Sequence, residues 1–351
     1  QARGRRGHHG PREHRTGRGV TDAVPDVPEV VAGIDEAGLG PMLGPFALGW
    51  CALRVSDPKL DLMEALAPAV MAKAKRGDPR MIVADSKEVF DRTPRGWSRL
   101  EATALSFLAC RQDAAPITTG RQFLEAPTGR LAPDSARLAE HPWFEALPES
   151  LPLHLAPDDL HGHTSRLRTA LEAADVQVVD GAARLAPAGE LNESFRWTDS
   201  KGRTVWTYVA DVLEHLWERF GDRHVHVHLD RQGGRTYYGE LLQESFPMSS
   251  VRTKFESKDA AEYQLDVPGR RMTLRVTPRA ETESFAVAVA SCFAKYGREV
   301  SMEAFNDWFG ALQPGLKPTA GYVTDARRWL SEAGPALSRA DVPMERIVRQ
   351  R

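Results

Sequence analysis

The chain has 351 residues, 42% hydrophobic content and a formal net charge of −2. That is enough apolar material for a substantial core, and length alone allows one large or two ordinary domains. A near-neutral balance excludes a globally basic nucleic-acid binder, so contact with nucleic acid would need local basic patches.

Residues 1–28 read as a disordered basic tail. Arg3, Arg5, Arg6, Arg12, Arg15 and Arg18 sit among Gly and His, with Glu13 the acid of the first twenty residues. Such a stretch has little apolar surface to bury. It is either a nucleic-acid-binding arm or a tail without a role, carried along from upstream of a true start. Val30 to Ile34 is an apolar run that reads as a buried strand. It leads into Asp35, Glu36 and a turn containing Gly38, Leu39 and Gly40. Pro45 to Val55 reads as a second buried strand. Leu60 to Lys75 has helical spacing despite Pro68. Met81 to Val83 is a short strand entering Asp85-Ser86-Lys87, and Trp97 to Cys110 an amphipathic helix.

Residues 112–198 differ. Proline recurs at Pro116, Pro127, Pro133, Pro142, Pro148, Pro152, Pro157 and Pro187. Ser165 to Ala174 reads as a helix, and Val176 to Val179 as a brief strand. This stretch is expected to be an insertion between two parts of one domain, 29–111 and 199–340, and could form a small subdomain over the cleft. In the second part Val205 to Phe220 has one broad apolar face and reads as a helix. His224 to Asp230 is a strand, Tyr237 to Phe246 a helix and Ser250 to Phe255 a strand. Glu262 to Val267 and Met272 to Thr277 are short strands. Ser284 to Tyr296, Met302 to Phe309 and Asp325 to Ala333 are helices. This order implies an α/β fold: a mixed central sheet with helices on both faces.

Cys51, Cys110 and Cys292 are far apart and form no metal or redox motif. A reducing compartment, the cytoplasm, is the expectation, with no membrane-spanning segment.

Asp35 and Glu36 are adjacent, and neighbouring strand residues point to opposite faces. They can share a site if the strand ends or bends between them, which the glycines permit. Carboxylates repel phosphate, so acids beside a glycine-rich phosphate-approaching turn make sense with divalent cations between them. His224, His226 and His228 share a strand face with Asp230. A hard-cation site built on carboxylates does not need them, and a structural role is expected, with His228 nearest the acids.

Gly33-Ile34-Asp35-Glu36-Ala37-Gly38-Leu39-Gly40-Pro41 resembles the (I/V)DEAGRGP signature of the type 2 ribonuclease H family, ribonucleases HII and HIII. Further segments follow in that family's order. Asp85-Ser86-Lys87 resembles its DSK loop, and His228-Leu229-Asp230 the strand end with its third acid. Arg279-Ala280-Glu281 with Ala290-Ser291 and Ala294-Lys295 resembles KGD…AASIxAK, and Gly321-Tyr322-Val323-Thr324 resembles GYxT.

The resemblance implies a ribonuclease H-like fold and an endoribonuclease that cleaves the RNA strand of RNA–DNA hybrids or of duplexes containing ribonucleotides. It implies two Mg2+ or Mn2+ ions held by Asp35, Glu36, Asp230 and Glu281. Glu281 stands where the family has Asp, with Glu283 as the alternative. Gly38, Leu39, Gly40, Ser86, Lys87 and Tyr322 are the implied substrate contacts, Tyr322 stacking on a sugar. Leu39 replaces the family's basic residue, and Thr319-Ala320 replaces its His-Lys. Compensating cations could come from Lys87, Arg270, Arg271, Lys295, Arg327 or Arg328. Two other readings stand beside this one: a nuclease of the same fold with another nucleic-acid substrate, and a non-catalytic nucleic-acid-binding homologue.

Overall fold

The computed structural model describes residues 29–112 and 114–350. The arginine-rich stretch from Arg3 to Arg18 therefore lies outside the described residues.

The strands are β1 (Glu29–Ala37), β2 (Phe46–Val55), β3 (Val70–Met71), β4 (Met81–Ile82), β5 (Gln177–Ala186), β6 (Val225–Asp230), β7 (Ser250–Glu256), β8 (Ala261–Val267) and β9 (Arg270–Thr277). A seven-stranded sheet has the order β5-β2-β1-β6-β9-β8-β7, and β3 pairs with β4 apart from it. β1 is antiparallel to β2 and parallel to β6, and β6 is parallel to β9. The sheet is mixed, as expected, with β1 and β6 as central neighbours.

Alternation along β1 divides the core. Val31 joins one apolar cluster, built with the helices Pro94–Ala109, Pro157–Ala173 and Phe285–Leu312. Val30, Ala32 and Ile34 join the other, with the helices Lys201–Phe220 and Gly239–Ser245. Helices thus cover both faces of the mixed sheet. The long helix Phe285–Leu312 lies unusually close to the strands. A Cβ added at Gly33 would sit 2.1 Å from the Val287 amide nitrogen, and one at Gly49 2.2 Å from the Ala290 carbonyl oxygen. Ala286, Ala290 and Ala294 keep the facing helix surface small. This close approach sets where the helix begins, and so where the turn before it lies.

Several elements differ from expectation. Leu60 to Lys75 is not one helix. A single turn, Leu62–Ala65, capped by Asp61, gives way to β3. Pro68 lacks the N–H that a continuing helix needs. The two helices expected over 284–309 are one, because Gly297 does not end the first. It lies against Phe123, whose ring would come within 2.7 Å of an added Cβ. The helix of the middle stretch begins at Pro157, well before Ser165, with Pro at its first position.

The brief strand expected at Val176 to Val179 is the ten-residue β5, paired along β2. The end of the 112–198 stretch therefore belongs to the central sheet. Its small residues, Gly181, Ala182 and Ala183, weaken the strand signal and pack closely. Earlier parts of that stretch pack on the long helix through Phe123, Trp143 and Phe144. Its loop is held by buried Glu101, whose carboxylate accepts N–H groups of Leu153, His154 and Leu155 at 2.5, 2.8 and 2.7 Å.

No helix among the described residues is long and apolar enough to cross a membrane.

Candidate active site

The β1–β6 pairing ends at Ile34 and Leu229. β1 continues against β2 as far as Ala37. The seam between β1 and β6 therefore opens one residue later, at Asp35 and Asp230. The strand neither ends nor bends between Asp35 and Glu36. Each acid stands on its own face at the mouth of the seam, and Asp230 acts electrostatically on both.

Glu281 arrives by a different route. β9 ends beside Asp230, and a one-turn 3-10 helix, Ala280–Thr282, follows. Arg279 before it has φ +57°, a left-handed conformation uncommon for a residue with a side chain. The turn points the Ala280 N–H at Asp230 Oδ1, 3.0 Å away. Asp230 thus positions the segment that delivers Glu281. Glu281 is partly buried and faces Asp230 and Asp85, whereas Glu283 is exposed.

Burial and mutual repulsion act together on these acids. Asp35 is held well above the usual carboxylate range, first by burial and then by Asp230. Glu36 is pushed up to about 7 by burial and Asp230, against the pull of Lys201. Asp230 and Glu281 are also raised, burial being the largest cause in each. Backbone N–H groups and Lys87 oppose the rise at Asp230. Glu36 Oε2 is buried without a hydrogen-bond partner, as are both amide atoms of Gln232 and Nε of Arg231, just beyond Asp230. An all-oxygen donor set with an orphaned carboxylate oxygen suits hard divalent cations. Among the described residues, no three of these acids bring ligand atoms within 4.8 Å of one another.

Two cations face the cluster from opposite sides. Lys87 is exposed, 3.7 Å from Asp85, and acts on Asp35, Glu281 and Asp230. Lys201 opens the helix Lys201–Phe220 and acts on Glu36. Sequence reasoning missed Lys201, although Asp199-Ser200-Lys201 repeats the tripeptide Asp85-Ser86-Lys87. It also gave no role to Asp85, which caps the turn Ser86–Val89 and adds its charge at Glu281. Ser86 is buried, and its N–H donates to Ser291 Oγ at 3.2 Å, tying this loop to the long helix.

The glycine turn forms the rim. Gly38 has φ +80°, and an added Cβ would come within 2.6 Å of Arg298. Buried Arg349 donates to the carbonyls of Gly38 and Gly44. The Gly321 carbonyl accepts N–H groups of Met42 and Leu43 at 2.8 and 3.2 Å, so the two glycine motifs form one unit. Tyr322 begins the helix Val323–Glu332, half exposed, with the Arg298 guanidinium 5.5 Å from its ring centre. Gly40 is exposed, and Leu39 packs partly against the second core cluster. Arg298 and Arg349, which brace this rim, were not anticipated; buried arginines give no periodic signal.

Most of the cations considered as substitutes for the missing basic residues are engaged elsewhere. Arg270 donates to the Trp217 carbonyl, Arg271 to Asp266, Lys295 to Glu299 and Arg328 to Asp325. Arg327 is exposed. His228 lines a groove of about 670 Å³ with Asp85 and Glu281, and burial pushes its imidazole down to about 4. His224 and His226 lie at the far end of the same strand, beside Glu29.

No family model and no curated protein matches the chain. Among solved structures, ribonuclease HII from Archaeoglobus fulgidus, in a complex with PCNA, is 15% identical, with 92% of this chain and 94% of that one covered and a TM-score of 0.41. Ribonuclease H2 from Pyrococcus horikoshii is 15% identical, with 91% and 92% covered and a TM-score of 0.37. Bst-RNase HIII in complex with Mn2+ is 14% identical, with 93% of this chain and 68% of that one covered and a TM-score of 0.40.

Proposed function

We propose that this chain is a divalent-metal-dependent endoribonuclease of the ribonuclease H type, cleaving the RNA strand of RNA–DNA hybrids. What supports the reading is that Asp230, at the opened end of the β1–β6 seam, acts electrostatically on Asp35, Glu36 and Glu281, and that each of the four carboxyls is raised by burial. Structural acids are usually spread or paired with cations. A cluster that repels itself has a use when cations fill it.

Asp35, Glu36, Asp230 and Glu281 would hold the metals. When bound, a Mg2+ or Mn2+ pair supplies an activated water and stabilises charge on the leaving 3′ oxygen. The chain's own residues do the rest. Asp230 holds the Glu281 turn through the Ala280 N–H. Lys87 and Lys201 place positive charge on either side of the acids, where a phosphodiester backbone would pass. The Gly38–Gly40 backbone can approach the ribose 2′-OH, the group that distinguishes RNA from DNA. Tyr322, half exposed at the rim, offers a face to a sugar.

One observation favours a second reading, the same chemistry on another nucleic acid. Leu39 packs toward the core and offers no charge to a phosphate. A panel of long hybrid, duplex DNA bearing one ribonucleotide, duplex DNA and duplex RNA, each with Mg2+ or Mn2+, decides between them. Cleavage of hybrid, absent in Asp35→Asn and Asp230→Asn, is the expected result. Cleavage of duplex DNA alone would overturn the ribonuclease reading, and no cleavage of any substrate would overturn both.

A further inference from the structure

The acids use one end of the β1–β6 seam; a different grouping occupies the other. Glu29 opens β1, His224 immediately precedes β6, and His226 lies within β6. Each offers one ligand atom, and the three atoms lie within 4.8 Å of one another. Both imidazoles converge on the same oxygen. His224 Nδ1 is 3.5 Å from Glu29 Oε2, and His226 Nε2 is hydrogen-bonded to that atom. The two rings are 4.0 Å apart.

A simple ion pair explains only half of this. Glu29 needs one imidazolium, and a second charged ring at that spacing would be repelled. Two imidazoles facing one carboxylate oxygen form the donor set of a metal site. His224 is also braced from behind: its Nε2 lies 3.0 Å from Thr273 Oγ1 on β9. Such a partner on the second ring nitrogen fixes the orientation of a ligating histidine. The side chains of His224, His226 and Glu29 are 27, 23 and 32% exposed, leaving water access to complete a coordination shell. Arg271 is the nearby opposing charge. Its Nε is held by Asp266 at 2.7 Å, and Asp266 faces His224 as well.

We propose that Glu29, His224 and His226 bind one borderline divalent cation of the zinc type. Two imidazoles and a carboxylate favour zinc-like ions over magnesium. The site is separate from the acid cluster and does not rest on the nuclease reading. It would fasten the start of β1 to the start of β6, the two strands that carry Asp35 and Asp230.

Equilibrium dialysis of the full chain against Zn2+ in excess Mg2+ tests it, with Mg2+ competing at the carboxylate cluster. One tightly held zinc per chain is expected. Glu29→Gln and His226→Gln should each weaken it by at least about tenfold, and the Asp35→Asn/Asp230→Asn double variant should retain it. His8, His9 and His14 can also bind zinc, so the measurement is repeated with all three changed to Gln, where the zinc should stay. Co2+ in place of zinc should give visible absorption bands that disappear in His226→Gln. The bands provide a readout on the wild-type chain even where a variant folds poorly. No zinc held by the full chain overturns the proposal. So does zinc lost with His8, His9 and His14, or zinc lost with Asp35 and Asp230 yet kept in His226→Gln.

Discussion

Glu36→Gln separates a repelling metal cluster from an ordinary polar turn. Glu36 is raised from 4.5 to about 7 by burial and by Asp230. A carboxyl raised in the folded state favours folding while protonated. In metal-free protein the stability is fully present below about 4.5 and is lost as pH rises to about 7. The full shift corresponds to about 3 kcal/mol, and partial solvent contact reduces the expected effect to about 1–2 kcal/mol. Gln has nearly the same size and no charge. Metal-free Glu36→Gln should therefore be more stable than wild type by about 1–2 kcal/mol at pH 8, and equal to it near pH 4. With Mg2+ the order should narrow or reverse, because the ion stabilises the form that binds it. Urea midpoints in EDTA and in Mg2+, across pH 4 to 8, give the answer. Activity should be lost throughout. A variant less stable than wild type at pH 8 in EDTA would refute the reasoning, since Glu36 would then be making favourable contacts.

Glu281→Gln should depress cleavage far more than Glu283→Gln, measured as initial rates on hybrid; the reverse order would move the fourth acid to the exposed position. Glu281→Asp, with one methylene less, should retain part of the activity. Leu39→Arg should tighten hybrid binding by up to about 1.5–3 kcal/mol and steepen its salt dependence by about one phosphate contact, measured without metal. An unchanged slope would mean that position 39 stays turned to the core. Gly33→Ala should destabilise the fold by about 3 kcal/mol or more, because the added Cβ meets the Val287 backbone rather than a movable side chain. Its thermal unfolding should show a drop far larger than that of Gly40→Ala, where the space is open.

The order of strands and helices in the second half was legible from the chain, because buried strands and amphipathic helices leave periodic apolar patterns. The places of Asp35 and Asp230 at the ends of apolar runs were legible as well, whereas Glu281 was singled out only by the resemblance of its segment to a family motif. Local pattern could not say that β1 and β6 separate after Ile34 and Leu229, since pairing between strands nearly two hundred residues apart is a property of the folded sheet. Local pattern marked a brief strand at Val176 to Val179, and only tertiary structure made it the ten-residue β5 of the central sheet. Its Gly-Ala run has little apolar signal of its own and gains its place by pairing with β2. The same holds for Lys201, Arg298 and Arg349. Each is an ordinary cation in the sequence, and its role comes from what lies across the fold: Glu36, Tyr322 and the Gly38 carbonyl. Side-chain period is local chemistry and is written along the chain. Charge convergence is a long-range property, and it exists only once the two faces of the sheet have closed.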